Sequence, residues 1–348
     1  MNKTVLFIIT KTEIGGAQTW TKNVASVFKH NLHCKAYLVS SESGWLSEQS
    51  EFERAFIIPQ IKKLFGVASI YKIAKILSEV HPDLVICSSA NAGIYARIAA
   101  FLTGTKNVYY VSHGWSCFYN GKVLRSLFCF VERVTSYLPA KIICVSKEDY
   151  IKAKDVLKIN ERKLCLIPNR CAGIGTYNTT IKIDKKIKAI CVCRLAPPKR
   201  VDLLIRALNN VDYIELTVVG NGPLYNGLRN DLGVSKNIRF VGEIPFFKDF
   251  YKFDIFILAS DSEGLPMSAI EAAEQGLPLL LSNVGGCSEL LINNNGFVFE
   301  NNLESIRSSL SKIVSDYESI KRNAIECRSY FDINHDVLKY KKLFKGGV

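Results

Sequence analysis

Nothing in this 348-residue chain approaches the roughly 18 uninterrupted apolar residues of a membrane-crossing helix. Its opening apolar run, Val5 to Ile9, is too short for the hydrophobic region of a secretory leader, and no small-residue cleavage site follows. A buried first strand is expected there instead. Cys-x-x-Cys pairs are missing among the eleven cysteines, and the count is odd. Because Cys87, Cys144, Cys191 and Cys193 fall inside apolar runs, buried free thiols in a reducing compartment are expected rather than a zinc or disulfide framework. The five histidines lack ligand spacing, and short-period repeats and low-complexity tracts are absent. Acidic residues are scarce in one half only. Residues 1–170 hold 23 Lys and Arg against 12 Asp and Glu, whereas residues 171–348 hold 22 against 20. The excess of +11 marks the first half as the part that faces an anionic partner: nucleic acid, an anionic membrane surface or a phosphorylated substrate.

What is present is alternation. Hydrophobic content of 48% and charged content of 22% suit a globular chain, and the length suits two cores better than one. Short apolar runs expected as strands lie at 4–10, 36–40, 55–58, 84–88, 108–112, 141–145 and 164–168. A second series lies at 188–193, 215–219, 238–241, 255–259, 278–282 and 296–299. Segments of helical spacing separate them, so an α/β architecture of two doubly wound parallel sheets is expected. The polar, Gly-rich stretch 169–187 reads as the linker. Doubly wound sheets bind ligands at the carboxyl ends of their strands, and two facing sheets would make one deep cleft.

The strand ends carry the chemistry. "FIITKTEIGGAQTW" places Gly15 and Gly16 before a helix, a loop that suits an anion but lacks the G-x-G-x-x-G of a dinucleotide fingerprint; a plain tight turn stays open. "YYVSHGWSC" places His113 at another strand end, as a loop histidine or a site residue. "AICVCRLAPPKRVDLLIRAL" presents Arg194, Lys199 and Arg200, whose donors suit a pyrophosphate or form a solvated basic loop. Gly220 and Gly222 follow in "TVVGNGPL". "ASDSEGLPMSAIEAAEQGLPLLLSN" sets Glu263 on a Gly-Pro turn and Glu271 in the following helix. Those acids form a binding or catalytic pair, part of a metal site beginning at Asp261, or a solvated helix start. Together the parts suit a nucleotide with a diphosphate and a polyol.

With these motifs in order, the sequence resembles retaining glycosyltransferases of the GT-B fold, family 4, over nearly its whole length. Glu263 to Glu271 matches the family's E-x7-E motif as E-G-L-P-M-S-A-I-E. "RLAPPKRVDLLIRAL", "VVGNGP", "SNVGGCSEL", "IGGAQ", "SHGW", "CVS" and "IPN" fall in family order. Cys193 and Arg200 stand where the family usually has glycine, before the arginine and after the lysine. The resemblance implies an N-terminal acceptor-binding domain of residues 1–168 plus 330–348 and a nucleotide-sugar-binding domain of residues 188–329. A last helix is expected to cross back to the first domain.

The resemblance also implies roles. Arg194 and Lys199 would hold the donor diphosphate, with Gly15 and Gly16 approaching it and Gly220 in the adjoining loop. Glu271 would bind the ribose hydroxyls. Glu263, with Gly264, Leu265, Pro266 and Met267, would hold the donor sugar, and His113 would lie beside it. Glu243 and Ile244 would border the base. No metal or other cofactor is expected, because the basic pair can offset the diphosphate charge. Retention by same-face attack requires no nucleophilic carboxylate. The most fitting donor is a UDP-N-acetylhexosamine or UDP-hexose, and the acceptor a lipid-linked or polysaccharide chain of O-antigen or capsule type. A GT-B sugar-nucleotide epimerase and a non-catalytic binding homologue stand as alternatives. The basic first domain then faces an anionic membrane rather than nucleic acid, through Lys62, Lys63, Lys72, Lys75, Lys122 and Arg125. The expected location is cytoplasmic, peripheral on the inner face of the cytoplasmic membrane.

Overall fold

The computed structural model describes residues 3–63, 66–119, 125–138, 140–173, 175–181, 183, 185–231 and 235–346. It divides into two compact units, Met1–Asn169 with Ile333–Val348, and Arg170–Asp332. Lys122 lies outside the described residues.

In the first unit, β1 (Thr4–Ile9), β2 (Lys35–Ser40), β3 (Arg54–Ile57), β4 (Leu84–Ser88), β5 (Val108–Ser112), β6 (Lys141–Cys144) and β7 (Leu164–Leu166) form one sheet. Their order is β3-β2-β1-β4-β5-β6-β7, and every pairing is parallel. Strands β4 and β5 are buried at every position, which is why they read as unbroken apolar runs rather than alternating ones. Helices Val67–Val80 and Ala90–Thr103 set Ile73, Ile76, Ala96 and Ala99 into one core with Leu6, Ile8 and Val85 of the sheet. The C-terminal residues belong to this unit. Tyr340 of helix Val337–Leu343 meets Phe28 edge-on at 6.0 Å, and the Tyr109 hydroxyl donates to the Leu343 carbonyl at 3.2 Å.

In the second unit, β8 (Ile187–Val192), β9 (Ile214–Val219), β10 (Ile238–Gly242), β11 (Ile255–Leu258), β12 (Leu279–Ser282) and β13 (Gly296–Phe299) pair in the order β10-β9-β8-β11-β12-β13, again all parallel. Each expected strand is present, with ends displaced by a residue or two. The Cys171 amide bonds to the Phe331 carbonyl at 3.0 Å, and Asn178 donates to the carbonyls of Gln275 at 3.1 Å and Phe253 at 2.8 Å. Cys171 and Asn178, at positions read as linker, are therefore bonded into the second unit.

Parallel strands place all their carboxyl ends on one edge. The strand order reverses between β1 and β4 in the first unit and between β8 and β11 in the second. Loops leaving such neighbours diverge to opposite faces and open a crevice between them.

Candidate active site

The loops that follow β8 and β11 flank the crevice of the second unit. They are tied backbone to backbone. The Arg200 amide donates to the Ala259 carbonyl and the Asp261 amide to the Pro198 carbonyl, each at 2.9 Å. This stitching brings the Lys199 ammonium onto Oε1 of Glu263, with the two side chains only 19% and 10% exposed. Burial disfavours the charged lysine, yet the Glu263 carboxylate and the neighbouring Cys193 outweigh it and hold Lys199 above its ordinary range. The Sγ atoms of Cys191 and Cys193 lie 3.8 Å apart beneath this pair.

Two glycines make the arrangement possible. Gly220, after β9, has φ +145°, and a Cβ there would lie 1.9 Å from the Cys193 carbonyl oxygen. Gly285, after β12, has φ +55°, and a Cβ there would lie 1.7 Å from the Glu263 carbonyl oxygen. Both positions exclude any side chain, because neighbouring protein loops occupy the space. At Gly220 one protein loop approaches another.

Glu271 differs from Glu263. It sits in helix Met267–Glu274, half-buried, and no hydrogen-bond or ion-pair partner reaches it among the described residues. Burial alone pushes its carboxyl up to about 8. Pro266 caps the helix from outside with φ −67°, and the first helical bond runs from the Ile270 amide to the Pro266 carbonyl at 3.2 Å. Such a helix start leaves its first amides free to face an anion or a hydroxyl oxygen. Arg194 projects an exposed side chain with no ion-pair partner among the described residues. Glu243 and Ile244 are exposed in the loop after β10, where the Gly220 amide bonds to the Gly242 carbonyl at 2.8 Å.

Asp261 is occupied elsewhere. Arg200 Nη1 and Asn301 Nδ2 each reach its Oδ1 at 3.2 Å, and Arg200 also holds Asp202 at 3.0 Å. Among the described residues, no group of three or more His, Cys, Asp or Glu is placed to hold a metal ion.

The first unit carries its own strand-end cluster. Gly15 is the N-cap of helix Gly16–Ser26, which starts at the carboxyl edge of β1. Across the β1–β4 crevice, the Thr10 and Ser89 hydroxyls are 2.6 Å apart. His113 follows β5, with Nε2 3.4 Å from the Ser88 hydroxyl and its ring 5.1 Å from Trp20. Burial pulls its imidazole down to about 4, so it is neutral at physiological pH. The basic residues lie elsewhere. Lys62 is paired with Glu42, Lys72 donates to Gln60 at 3.2 Å, and Lys63, Lys75 and Arg125 are exposed.

Residues 14–170 match the family profile described as Glycosyltransferase Family 4, and residues 178–328 match the one described as Glycosyl transferases group 1. The O-antigen biosynthesis glycosyltransferase WbnH of Escherichia coli is 42% identical over 344 residues, covering 99% of this chain and 100% of that protein. The chain belongs to glycosyltransferase family 4. A further relative of this family 4 enzyme, the Escherichia coli UDP-Gal:alpha-D-GlcNAc-diphosphoundecaprenol alpha-1,3-galactosyltransferase, is 27% identical over 83% of this chain and 81% of its own. Anabaena HepE, solved with UDP and glucose, superposes with a TM-score of 0.82 over 99% of this chain and 100% of its own, at 17% identity. The fold is GT-B, and the protein is a glycosyltransferase.

In this glycosyltransferase the residues singled out by sequence fall into three places. Arg194, Lys199, Gly220, Glu243, Ile244, the run Glu263 to Met267, and Glu271 gather at the strand-end edge of the second unit. Gly15, Gly16 and His113 gather at that of the first, and Lys62, Lys63, Lys72 and Lys75 stand apart. Sequence reasoning missed the bond from Arg200 to Asp261, although an arginine at an expected glycine position was its signal. It also missed Thr10, Ser88 and Ser89, since hydroxyls at strand ends carry no pattern of their own.

Proposed function

We propose that this glycosyltransferase moves a hexose or N-acetylhexosamine from a UDP-sugar, with retention of anomeric configuration, to a lipid-linked glycan in O-antigen assembly. The transfer takes place at the inner face of the cytoplasmic membrane and uses no metal or other cofactor. The single observation that carries the reading is the pairing of Lys199 with Glu263, eight residues before the half-buried Glu271, which has no partner among the described residues. A cation already paired can exchange its carboxylate for an incoming diphosphate. A half-buried carboxyl with no protein partner among the described residues awaits vicinal hydroxyls.

On this reading, Lys199 and Arg194 take the diphosphate and neutralise the charge that develops on the departing UDP. Glu263, released from Lys199, turns to the sugar hydroxyls with the amides of Leu265 and Met267, Pro266 having no N–H to give. Glu271 accepts from the ribose hydroxyls, and Glu243 and Ile244 border the base. From the first unit we assign the Gly16 amide, in the Gly15–Gly16 turn, to the diphosphate and the neutral His113 to the sugar. The acceptor hydroxyl attacks the anomeric carbon on the face from which UDP departs. The bond from sugar to phosphate oxygen breaks, the glycosidic bond forms, and the hydroxyl proton passes to the leaving phosphate. Support for UDP and a lipid diphosphate comes from the HepE complex and from the name of the galactosyltransferase relative.

A panel of nucleotide sugars tests this, scored by protection against thermal unfolding and by slow donor hydrolysis. UDP-sugars should protect and turn over. A chain that responds to no nucleotide sugar would overturn the proposal.

A further inference from the structure

Helix Arg125–Thr135 is built inside out. Its one acid, Glu132, points into the protein and meets Arg97 of helix Ala90–Thr103 at 3.8 Å, with the two side chains 7% and 1% exposed. Arg97 is fixed in turn, its guanidinium 4.6 Å above the Tyr110 ring and its Nε donating to the Gly93 carbonyl at 2.9 Å. Phe128 and Cys129 pack beside Glu132 against the sheet's core. These contacts set the helix's rotation and turn its other face outwards. That face carries Leu127, Phe130 and Val134, with Tyr137 just past the helix end, at 53%, 63%, 47% and 73% exposure. Their spacing of three and four residues draws one continuous apolar stripe. A solvated helix shows the reverse, with apolar residues in and charge out.

The charge around the stripe has one sign. Arg125 and Arg133 are exposed, neither has a carboxylate partner among the described residues, and the only acid of the helix is the buried Glu132. Arg125 and Lys152 both stand over the Phe118 ring, at 5.0 and 5.7 Å, which adds a second basic element beside the helix. Helix Val67–Val80 packs into the same core and also turns apolar residues out, with Val67 at 73% and Tyr71 at 74% next to Lys75. A second copy of this chain in a two-fold contact would set arginine against arginine. An anionic lipid leaflet matches both features, since its acyl boundary takes the stripe and its headgroups take the arginines.

We infer that helix Arg125–Thr135 is the membrane-docking element of this enzyme, lying in the plane of an anionic leaflet with Leu127, Phe130 and Val134 inserted. The inference rests on the proposed lipid-linked acceptor and narrows the contact from the basic residues read in the sequence, Arg125 among them, to an apolar stripe rimmed by arginine. The buried ion pair of Glu132 and Arg97 is the device that holds the stripe outwards.

The test is co-sedimentation of the full chain with phosphatidylcholine vesicles, with and without phosphatidylglycerol, at low and high salt. Wild type should bind the anionic vesicles, and salt should weaken the binding. The double variant L127S/F130S should bind at least about tenfold less, and R133E should lose the preference for phosphatidylglycerol. F130W should shift its emission to the blue on anionic vesicles. Both serine substitutions are on the surface, so unfolding temperature and turnover of a water-soluble, short-chain acceptor should stay at wild-type levels. Wild type that turns over the soluble acceptor and ignores anionic vesicles overturns the docking inference and leaves the transferase standing. Failure of every donor and acceptor overturns the transferase reading instead. Sedimentation velocity showing a dimer that L127S/F130S dissolves would assign the stripe to self-association and also overturn docking.

Discussion

Compare one cation–carboxylate pair from each unit, both largely withdrawn from water, which do different work. Lys199 and Glu263 meet at the strand-end edge of the second sheet, between loops that other backbone bonds already hold. Arg97 and Glu132 meet between two helices of the first unit, where both guanidinium Nη atoms and Glu132 Oε2 lack a hydrogen-bond partner among the described residues. Burial raises the Glu132 carboxyl above the ordinary glutamate range against the pull of Arg97. Identical chemistry thus serves exchange in one place and orientation in the other. What separates them is location: an edge that a ligand can reach and an interior that it cannot.

That contrast breaks first at Arg97. Arg97→Ala should leave Glu132 buried without its cation and lower stability by about 3–5 kcal/mol, measured by urea denaturation. A loss under about 1 kcal/mol would show that the pair is not structural. Lys199→Ala should come next, lowering kcat by about 100- to 1000-fold while donor affinity changes less. Stability should fall little in that variant, because the freed Glu263 lies on the accessible edge. If urea curves for Lys199→Ala and Arg97→Ala coincide, the distinction between exchange and orientation fails.

Glu271 sharpens the comparison, being a half-buried carboxyl with no cation beside it among the described residues. Glu271→Gln should weaken UDP binding about tenfold by calorimetry, as one acceptor for two hydroxyls is lost. Its pH signature has a definite sign. The folded carboxyl holds its proton up to about 8 and the unfolded one loses it near 4.5, so the ligand-free protein should lose stability as pH rises through that window. Glu271→Gln should flatten this decline, which melting temperatures across the window would record. The smallest effect is expected at Asp261, whose partners are Arg200 and Asn301. Asp261→Asn should change kcat/KM by less than about threefold, with no dependence on added magnesium or manganese. A larger loss restored by metal would return Asp261 to the site.

Much of the fold was legible from short-range pattern. Strands β4, β5 and β8 are buried through most of their length, so their residues read as apolar runs between helical segments. The E-x7-E spacing placed Glu263 before a helix and Glu271 inside it, which a proline at the boundary made readable. The stretch 169–187 was read as a linker from its polarity and glycine, which also describe a segment bonded along a domain surface, as Cys171 and Asn178 are. Asp261 remained open for a related reason. Its acid neighbours were visible in the sequence, while its partners Arg200 and Asn301 lie 61 and 40 residues away.

The sequence by itself determined the alternation of strands and helices, the excess of positive charge in the first half, and the family to which the motifs belong. These depend on side-chain period and local spacing, which neighbouring residues fix. Only the tertiary structure decided that Lys199 holds Glu263, that the Glu271 side chain has no partner among the described residues, and that helix Arg125–Thr135 shows its apolar side to the outside. A helix with apolar residues on two sides can be laid down either way around. Its rotation was settled by one buried arginine, contributed by another helix and facing the helix's only acid.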